Sequence, residues 1–254
     1  MTSAPMDRLL AATRAVERDH FWFRGFRRFV TPLVAAAVAG RSAPRLLDCG
    51  CGTGWNLELL GQYGTACGFD LTWSGLATAR VAGQCRIVQA TAAALPFRSA
   101  SVDVATSFDV LYLLPDDAER AAIAEMHRVL VPGGVAIVNV AAMPILHGHH
   151  SVLSAEVRRY TRPMLRHRLE AAGFVVERLT YTNAVLFPVM LAARGAQRLI
   201  GARAEESDIR LPAAPVNAIL SAALAVEAAV IQTLPMPFGS SLLAVARKLP
   251  PTEA

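Results

Sequence analysis

Between residues 45 and 140, short apolar segments alternate with segments of helical periodicity, and this alternation constrains the fold more than any other feature. The predicted strands are 45–50, 65–70, 86–90, 102–107 and 134–140. The predicted helices between them are 54–63, 73–82 and 116–130. Such alternation is typical of βαβ units, which build a parallel sheet with helices on both faces. The sequence therefore predicts an α/β fold with a mostly parallel sheet.

Two further strands bring the predicted sheet to seven, because residues 174–181 and 241–247 are again apolar. The last two strands are separated by far more chain than a hairpin needs. This insertion holds two apolar helical segments, 184–200 and 215–233. The second has about the length that crosses a bilayer, but it contains Glu227. We expect a buried helical hairpin that caps the site or forms a homodimer face, with peripheral membrane contact as the alternative.

The chain divides by pattern into four parts. They are an N-terminal helical lid at 1–44, a core at 45–182, the apolar helical insertion at 183–238, and the final strand and tail at 239–254. The lid is predicted to be helical over 5–40, broken near Phe21-Trp22-Phe23 and by Pro32. Charges among the first twenty residues exclude the uninterrupted apolar core of a secretory signal. We expect a cytoplasmic protein, with membrane association as the alternative.

Charge and cysteine content argue against a nucleic-acid partner and against a metal site. The formal charge is +5 and all but Lys248 of the 25 basic residues are arginine, which indicates a codon-biased genome as much as a basic surface. No basic motif with interleaved aromatic residues is present, so a nucleic-acid partner is disfavoured. The four cysteines at 49, 51, 67 and 85 lack a second pair of ligands, so packed thiols are favoured over a metal site.

A glycine-rich loop follows the first strand and precedes a helix. It reads Asp48-Cys49-Gly50-Cys51-Gly52-Thr53-Gly54. Its glycines allow a ligand to approach the backbone closely. Dinucleotide-binding enzymes share this geometry, but their usual spacing is Gly-x-Gly-x-x-Gly. The loop therefore predicts a nucleotide-like ligand without settling which one.

Together with Gly68-Phe69-Asp70, Leu95-Pro96-Phe97 and Arg128-Val129-Leu130-Val131-Pro132-Gly133-Gly134, the loop resembles class I S-adenosylmethionine-dependent methyltransferases. The resemblance covers about residues 45–182 and is greatest to the quinone-biosynthesis-like branch, which acts on small molecules. It implies a Rossmann-like sheet and binding of S-adenosylmethionine, with S-adenosylhomocysteine as the product.

The resemblance assigns the cofactor residues. It implies that the methionine part contacts the glycine loop and the acid before it, namely Asp48, Gly50, Cys51, Gly52 and Gly54. Asp70 would bind the ribose, with Leu71 beside it, and Phe108 would form a wall of the site. The family's usual acid at the end of the third strand is replaced by Ala90. The adenine would then be bound by the hydroxyl of Thr91, or by backbone groups and the apolar residues Ala92 to Leu95.

Methyl transfer to a hydroxyl or an amine needs a base, and histidine titrates near neutral pH. The candidates for catalysis are His147, His149, His150 and Tyr160, with a solvated loop as the alternative for the histidines. The candidates for substrate binding are Phe21, Trp22, Tyr112, Arg158 and Arg159. Arginine suits an anionic group, but a solvated helix face is the favoured explanation of the arginine cluster at 158–168.

The sequence thus predicts transfer of a methyl group from S-adenosylmethionine to an O, N or C atom of a small hydrophobic or anionic acceptor. The alternative is an S-adenosylmethionine-binding regulatory or scaffold protein without methyl transfer. A nicotinamide oxidoreductase is a third possibility, which the glycine spacing disfavours.

Overall fold

The computed structural model describes residues 4–146, 156–200 and 210–250. Seven strands and eight α-helices are defined within these ranges. The strands are β1 (Arg45–Cys49), β2 (Thr65–Asp70), β3 (Ile87–Gln89), β4 (Val102–Phe108), β5 (Leu130–Ala141), β6 (Phe174–Thr182) and β7 (Ser241–Lys248). The helices are α1 (Ala4–Val16), α2 (Phe21–Val38), α3 (Trp55–Leu60), α4 (Trp73–Val81), α5 (Asp116–Val129), α6 (Arg162–Ala171), α7 (Phe187–Ile200) and α8 (Ala214–Val230).

The strands form one sheet in the order β3-β2-β1-β4-β5-β7-β6. Strands β1 to β5 pair in parallel, whereas β7 lies antiparallel between β5 and β6. The strand order reverses between β1 and β4, and open α/β sheets bind ligands at the carboxyl ends of the strands at such a point. The predicted Rossmann-like seven-stranded fold is confirmed, with helices packed on both faces of the sheet.

The largest deviation from the predicted strands is at β5, which begins at Leu130 and not at residue 134. Pro132 and Gly133 precede the predicted strand, but they lie inside β5, where Gly133 has a φ of +74°. Leu130 pairs with Val102 and Val135 pairs with Val104, so four residues of β5 lie opposite one residue of β4. A bulge takes up these four residues, and pairing continues on both sides of it.

The N-terminal helices break in a different place from the one predicted. The chain leaves α1 after Val16 and begins α2 at Phe21, so the aromatic residues start a helix and do not interrupt one. His20 caps α2, because its Nδ1 accepts a hydrogen bond from the Trp22 backbone N–H at 3.2 Å. Pro32 lies inside α2, where burial of neighbours such as Phe29 and Leu33 maintains the helix despite one lost backbone hydrogen bond.

Helix α8 of the insertion packs directly against α2. Asn217 accepts a hydrogen bond from the Phe21 N–H at 2.8 Å and donates one to the Asp19 carbonyl at 2.8 Å. Arg28 donates to the Ser221 carbonyl at 2.7 Å. Gly25 faces Leu224, which is fully buried. The N-terminal segment and the insertion therefore form one helical layer over the same face of the sheet.

We expect Gly25→Val to destabilise this helical layer by about 1–3 kcal/mol, the usual cost of overpacking. A Cβ atom at residue 25 would lie 2.4 Å from Leu224 Cδ1 and 2.9 Å from Leu224 Cβ, so α2 and α8 would have to separate. Thermal unfolding measures the loss. Gly195→Ala in α7 is the control, because a Cβ there meets nothing within 4 Å. Equal unfolding temperatures for Gly25→Val and the unsubstituted protein would contradict the close packing.

Among the described residues, no helix is both long and apolar enough to cross a membrane. Glu227 of α8 is buried, and its carboxylate accepts hydrogen bonds from the Ala184 and Val185 N–H groups at 2.9 and 3.0 Å. This carboxylate thereby holds the chain between β6 and α7.

Candidate cofactor and acceptor site

The glycine loop has the backbone conformation that its sequence predicts. Gly50 and Gly54 have φ values of +82° and +79°, in the left-handed region that favours glycine. The N–H groups of Gly50 and Cys51 both donate to the Phe69 carbonyl at 2.9 Å, which joins the loop to β2. The loop is therefore fixed by its own backbone, leaving the carboxyl end of β1 open to a ligand.

Asp48 lies under this loop, fully buried at the end of β1. Its Oδ1 accepts a hydrogen bond from the Thr106 hydroxyl at 2.8 Å, whereas Oδ2 has no partner. Burial raises the pKa of Asp48 to about 7; the Thr106 hydrogen bond opposes this shift and the negative charge of Asp70 adds to it. A buried carboxylate oxygen without a donor is costly, so a cationic or hydrogen-bond-donating ligand would stabilise it.

Asp70 ends β2 and joins two parts of the site. Its Oδ2 accepts a hydrogen bond from the Gly52 N–H at 2.8 Å, and its Oδ1 accepts from the N–H and hydroxyl of Thr72 at 2.8 and 2.5 Å. The structure thus brings Asp48, the glycines and Asp70 together at neighbouring strand ends, as predicted. A carboxylate offers about four lone-pair sites, so a ribose hydroxyl can still donate to it.

Of the other residues predicted to contact the cofactor, Leu71 and Thr91 are exposed and Cys51 is buried. Leu71 has 65% of its surface exposed, and its carbonyl accepts a hydrogen bond from the Gln89 side chain at 2.9 Å. Thr91 is exposed, and its hydroxyl accepts from the Ala93 N–H at 3.3 Å. Cys51 is buried and packs against Gly68. Contact of these three residues with the cofactor stays a prediction.

The N-terminal segment reaches the glycine loop. The buried Glu17 accepts a hydrogen bond from the Thr53 hydroxyl at 2.7 Å, and Leu10 lies against Gly52. Sequence reasoning missed Glu17, because nothing in a helix sequence marks a carboxylate that reaches a loop 36 residues away.

Aromatic residues of α2 and its cap also pack close to the end of β4. Phe108 is buried edge-to-face against Phe26 of α2, with ring centroids 4.9 Å apart. Phe21 stacks on His20 with ring centroids 4.5 Å apart, and Trp22 packs in the cluster under α2. Phe108 therefore meets the N-terminal helices, while the substrate roles of Phe21 and Trp22 stay predictions.

Two predicted acceptor residues are held by a buried ion-pair network. Tyr160 is fully buried, and its hydroxyl donates to Glu119 Oε1 at 2.5 Å. Arg158 pairs with Glu119 at 3.0 Å and with Asp116 at 2.7 Å. Both side chains are therefore held against α5, and burial raises the pKa of Tyr160 well above its usual range. The catalytic role of Tyr160 and the substrate role of Arg158 stay predictions, which these contacts do not favour.

Tyr112 and Arg159 lie together on the β4–β5 side of the site. Arg159 forms a two-point ion pair with Glu156, with both distances 2.9 Å and both side chains almost fully buried. Burial raises the pKa of Tyr112 well above its usual range, and the charges of Asp109 and Glu156 add to the shift. Tyr112 is therefore a neutral hydroxyl at neutral pH. His147, His149 and His150 lie outside the described residues.

The sequence analysis also missed Asp109 and Asn139, which follow or lie near the carboxyl ends of β4 and β5. The Asn139 amide donates to Asp109 Oδ1 at 2.9 Å. The signal was present, because a polar residue at the end of a buried parallel strand is the same pattern that identified Asp70. Within the described ranges, no three His, Cys, Asp or Glu side chains are grouped to hold a metal ion.

Part of this chain is similar in sequence to known methyltransferases. Residues 47–138 match the family model described as a methyltransferase domain. A Mycolicibacterium smegmatis protein named "Probable S-adenosylmethionine-dependent methyltransferase" is 32% identical over 163 residues, which are 63% of this chain and 61% of that protein. A Bos taurus protein named "Probable tRNA methyltransferase 9B" is 36% identical over 105 residues, which are 41% of this chain and 23% of that protein. The chain thus matches less than two thirds of the length of either relative.

A solved structure shows the same fold over nearly the whole chain. It comes from the complex between the Haloferax volcanii Trm112 methyltransferase activator and a methyltransferase. The TM-score is 0.62 at 20% identity, and the match covers 98% of this chain and 97% of that one. Residues 47–138 are therefore similar to a methyltransferase domain, and the sheet order and the conformation of the glycine loop agree with this match.

Proposed function

We propose that this protein transfers a methyl group from S-adenosylmethionine to a small, largely apolar acceptor. The observation that carries the proposal is the unpartnered Oδ2 of the buried Asp48 beneath a loop of left-handed glycines. S-adenosylmethionine carries an ammonium and a sulfonium group, and a buried carboxylate suits a cation. Asp70, at the neighbouring strand end, would hold the ribose.

The acceptor is proposed from the surroundings of the site. The N-terminal helices contribute Phe21, Trp22 and Phe26, which supports an apolar acceptor. Arg159 is paired with Glu156, which weakens the case for an anionic group on that acceptor. The quinone-biosynthesis-like branch stays a proposal on the resemblance alone. Val216 and Ile219 of α8 are exposed. Peripheral membrane contact and a homodimer face therefore also stay proposals.

Titration calorimetry with S-adenosylmethionine at pH 6 and pH 8 tests cofactor binding. Because burial raises the pKa of Asp48 to about 7, this carboxyl is mostly neutral at pH 6 and mostly ionised at pH 8. A cationic ligand favours the ionised form, so we expect about tenfold tighter binding at pH 8, with proton release at pH 6. Asp48→Asn should bind weakly and without this pH dependence. Absence of binding at both pH values contradicts the proposed function.

Transfer of tritium from methyl-labelled S-adenosylmethionine then identifies the acceptor class. We expect label to enter an apolar small-molecule extract and not a tRNA fraction. Label in tRNA instead, the class named for the Bos taurus relative, would contradict a small acceptor. Binding of S-adenosylmethionine without transfer to either fraction would favour the regulatory or scaffold function.

A further inference from the structure

Asp109 has a strained backbone at the edge of the sheet where an acceptor would bind. It follows β4 directly and has a φ of +62°, which is uncommon for any residue other than glycine. Its N–H donates to the Asn139 carbonyl at 3.0 Å, so β5 holds the residue in this conformation. The next residue, Val110, packs against Gly50 of the glycine loop. Strain of this kind concentrates at functional sites, where the surrounding structure maintains it.

The Asp109 carboxyl is surrounded by groups from three segments. Asn139 of β5 donates to it at 2.9 Å, and Tyr112 lies in the turn after β4. Glu156 and Arg159, from the segment before α6, are the charged groups that act on it. Burial raises the pKa of Asp109 to about 7 and the charge of Glu156 adds to the shift, whereas the Asn139 hydrogen bond and the charge of Arg159 oppose it.

Unpartnered polar atoms mark the same edge of the sheet. Asp48 Oδ2 in β1, Ser107 Oγ in β4 and Asn139 Oδ1 in β5 are buried and have no hydrogen-bond partner. These three strands are adjacent and include the point where the strand order reverses. Buried polar groups are rarely left without partners, so three of them at adjacent strand ends point to a ligand.

Asp70 and Asp109 lie on opposite sides of the glycine loop along this edge of the sheet. The ribose residue Asp70 lies on β2, to one side of β1, whereas Asp109 lies beyond β4 on the other side. If Asp70 holds the ribose and the glycine loop holds the methionine part, the reactive end of the cofactor would face β4 and β5. The acceptor would meet it beside Asp109.

We propose that Asp109 is the catalytic base for an acceptor that carries a proton on its oxygen or nitrogen, bound between the carboxyl ends of β4 and β5. This inference rests on the proposed function and specifies its acceptor. The lone pair of the acceptor atom forms a bond to the methyl carbon, and the carbon–sulfur bond breaks with its electron pair remaining on sulfur. The acceptor proton moves to a carboxylate oxygen of Asp109, which later releases it to water.

A carboxyl group that titrates near neutral pH suits this role, because it is ionised in much of the population and still basic enough to take a proton. Tyr112 and the Asn139 amide are placed to orient the acceptor group. A carbon nucleophile without an acidic proton, a thioether or a tertiary amine would need no such base. The inference therefore favours hydroxyl and amine acceptors.

Asp109→Asn is the decisive variant, since asparagine is among the residues that best tolerate the left-handed conformation and keeps an oxygen for the Asn139 amide. We expect the variant to bind S-adenosylhomocysteine within about twofold of the unsubstituted protein by calorimetry. Methyl transfer to para-butylphenol and n-butylamine, used as probe acceptors, should fall about a hundredfold, the usual contribution of a general base. Asp117→Asn, on the exposed surface of α5, is the matched control and should leave transfer unchanged.

Two further readouts separate a base from a structural residue. At saturating S-adenosylmethionine, where the bound cofactor keeps Asp48 ionised, transfer by the unsubstituted protein should rise with pH to a plateau with a midpoint near 7, the pKa of Asp109. Infrared difference spectra between this protein and Asp109→Asn should show a protonated carboxyl that is lost over the same range. If Asp109→Asn does not fold, Asn139→Ala decides, because losing its hydrogen bond should raise that midpoint.

Several results would overturn the inference. They are transfer by Asp109→Asn at the unsubstituted rate, an unchanged midpoint in Asn139→Ala, and failure of the cofactor-loaded protein to methylate either probe. Failure to bind S-adenosylmethionine at all is different, because it removes the proposed function itself.

Discussion

Replacing Asp70 with Ala is expected to weaken binding of S-adenosylmethionine about a hundredfold, measured by titration calorimetry at pH 8. The variant removes the acceptor for the Gly52 N–H and the group proposed to hold the ribose. Hydrogen bonds to a charged group contribute about 1.5–3 kcal/mol each, and losing two of them accounts for an effect of this size. The loop would also lose one of its attachments to the end of β2.

The controls for Asp70 separate the ribose contact from loop order. Asp70→Asn keeps one oxygen for the Gly52 N–H but loses the charge, so we expect an intermediate affinity. Asp117→Ala, which changes a carboxylate with 95% of its side chain exposed, should bind as the unsubstituted protein does. Unchanged affinity in Asp70→Ala would show that the ribose lies elsewhere.

Replacing Glu119 with Ala is expected to lower the free energy of unfolding by about 3–5 kcal/mol, as measured in urea. Glu119 is fully buried and accepts from the Tyr160 hydroxyl, while Arg158 and Arg168 lie 3.0 and 3.7 Å from its Oε2. Removing one partner of a buried ion pair leaves the other charge desolvated and uncompensated, which explains the large cost. The α5–α6 contact would weaken first.

Two variants calibrate the Glu119 result. Asp117→Ala lies two residues earlier in α5 on the exposed surface, and its loss should stay below about 0.5 kcal/mol. Tyr160→Phe removes one hydrogen bond to Glu119 and should cost about 1 kcal/mol without changing the affinity for S-adenosylhomocysteine. A Glu119→Ala loss as small as that of Asp117→Ala would contradict the buried network.

The order of helices and strands was predictable from residue patterns, because buried parallel strands are short apolar runs and their helices have a different period. The residues at 130–141 show the limit of that reasoning. Proline and glycine at 132 and 133 are the usual signal of a turn, yet β4 pairs with Leu130 before them and with Val135 after them, so the strand continues through them. Tertiary pairing therefore overrode a local preference.

The site could be predicted only where its residues share one stretch of sequence. Asp48 and the glycines lie in one loop, and Asp70 follows the next strand, so spacing identified them. The side chains of Tyr160 and Arg158 both contact Glu119, some forty residues away on α5, and their own segment of sequence does not indicate this partner. Asp109 follows a buried parallel strand, as Asp70 does, but its contact with Asn139, 30 residues away, could not be predicted from spacing.

The contact between α2 and α8 joins two segments that are synthesised at very different times. Phe21 and Asn217 are 196 positions apart, so ribosomal synthesis finishes β1 to β5 long before the partner of α2 emerges. Contacts between such distant segments slow folding, and uncovered apolar surface in the meantime favours aggregation. In a nascent chain of this protein, the glycine loop is therefore synthesised before the helical layer can be completed, and aggregation is most favoured during that interval.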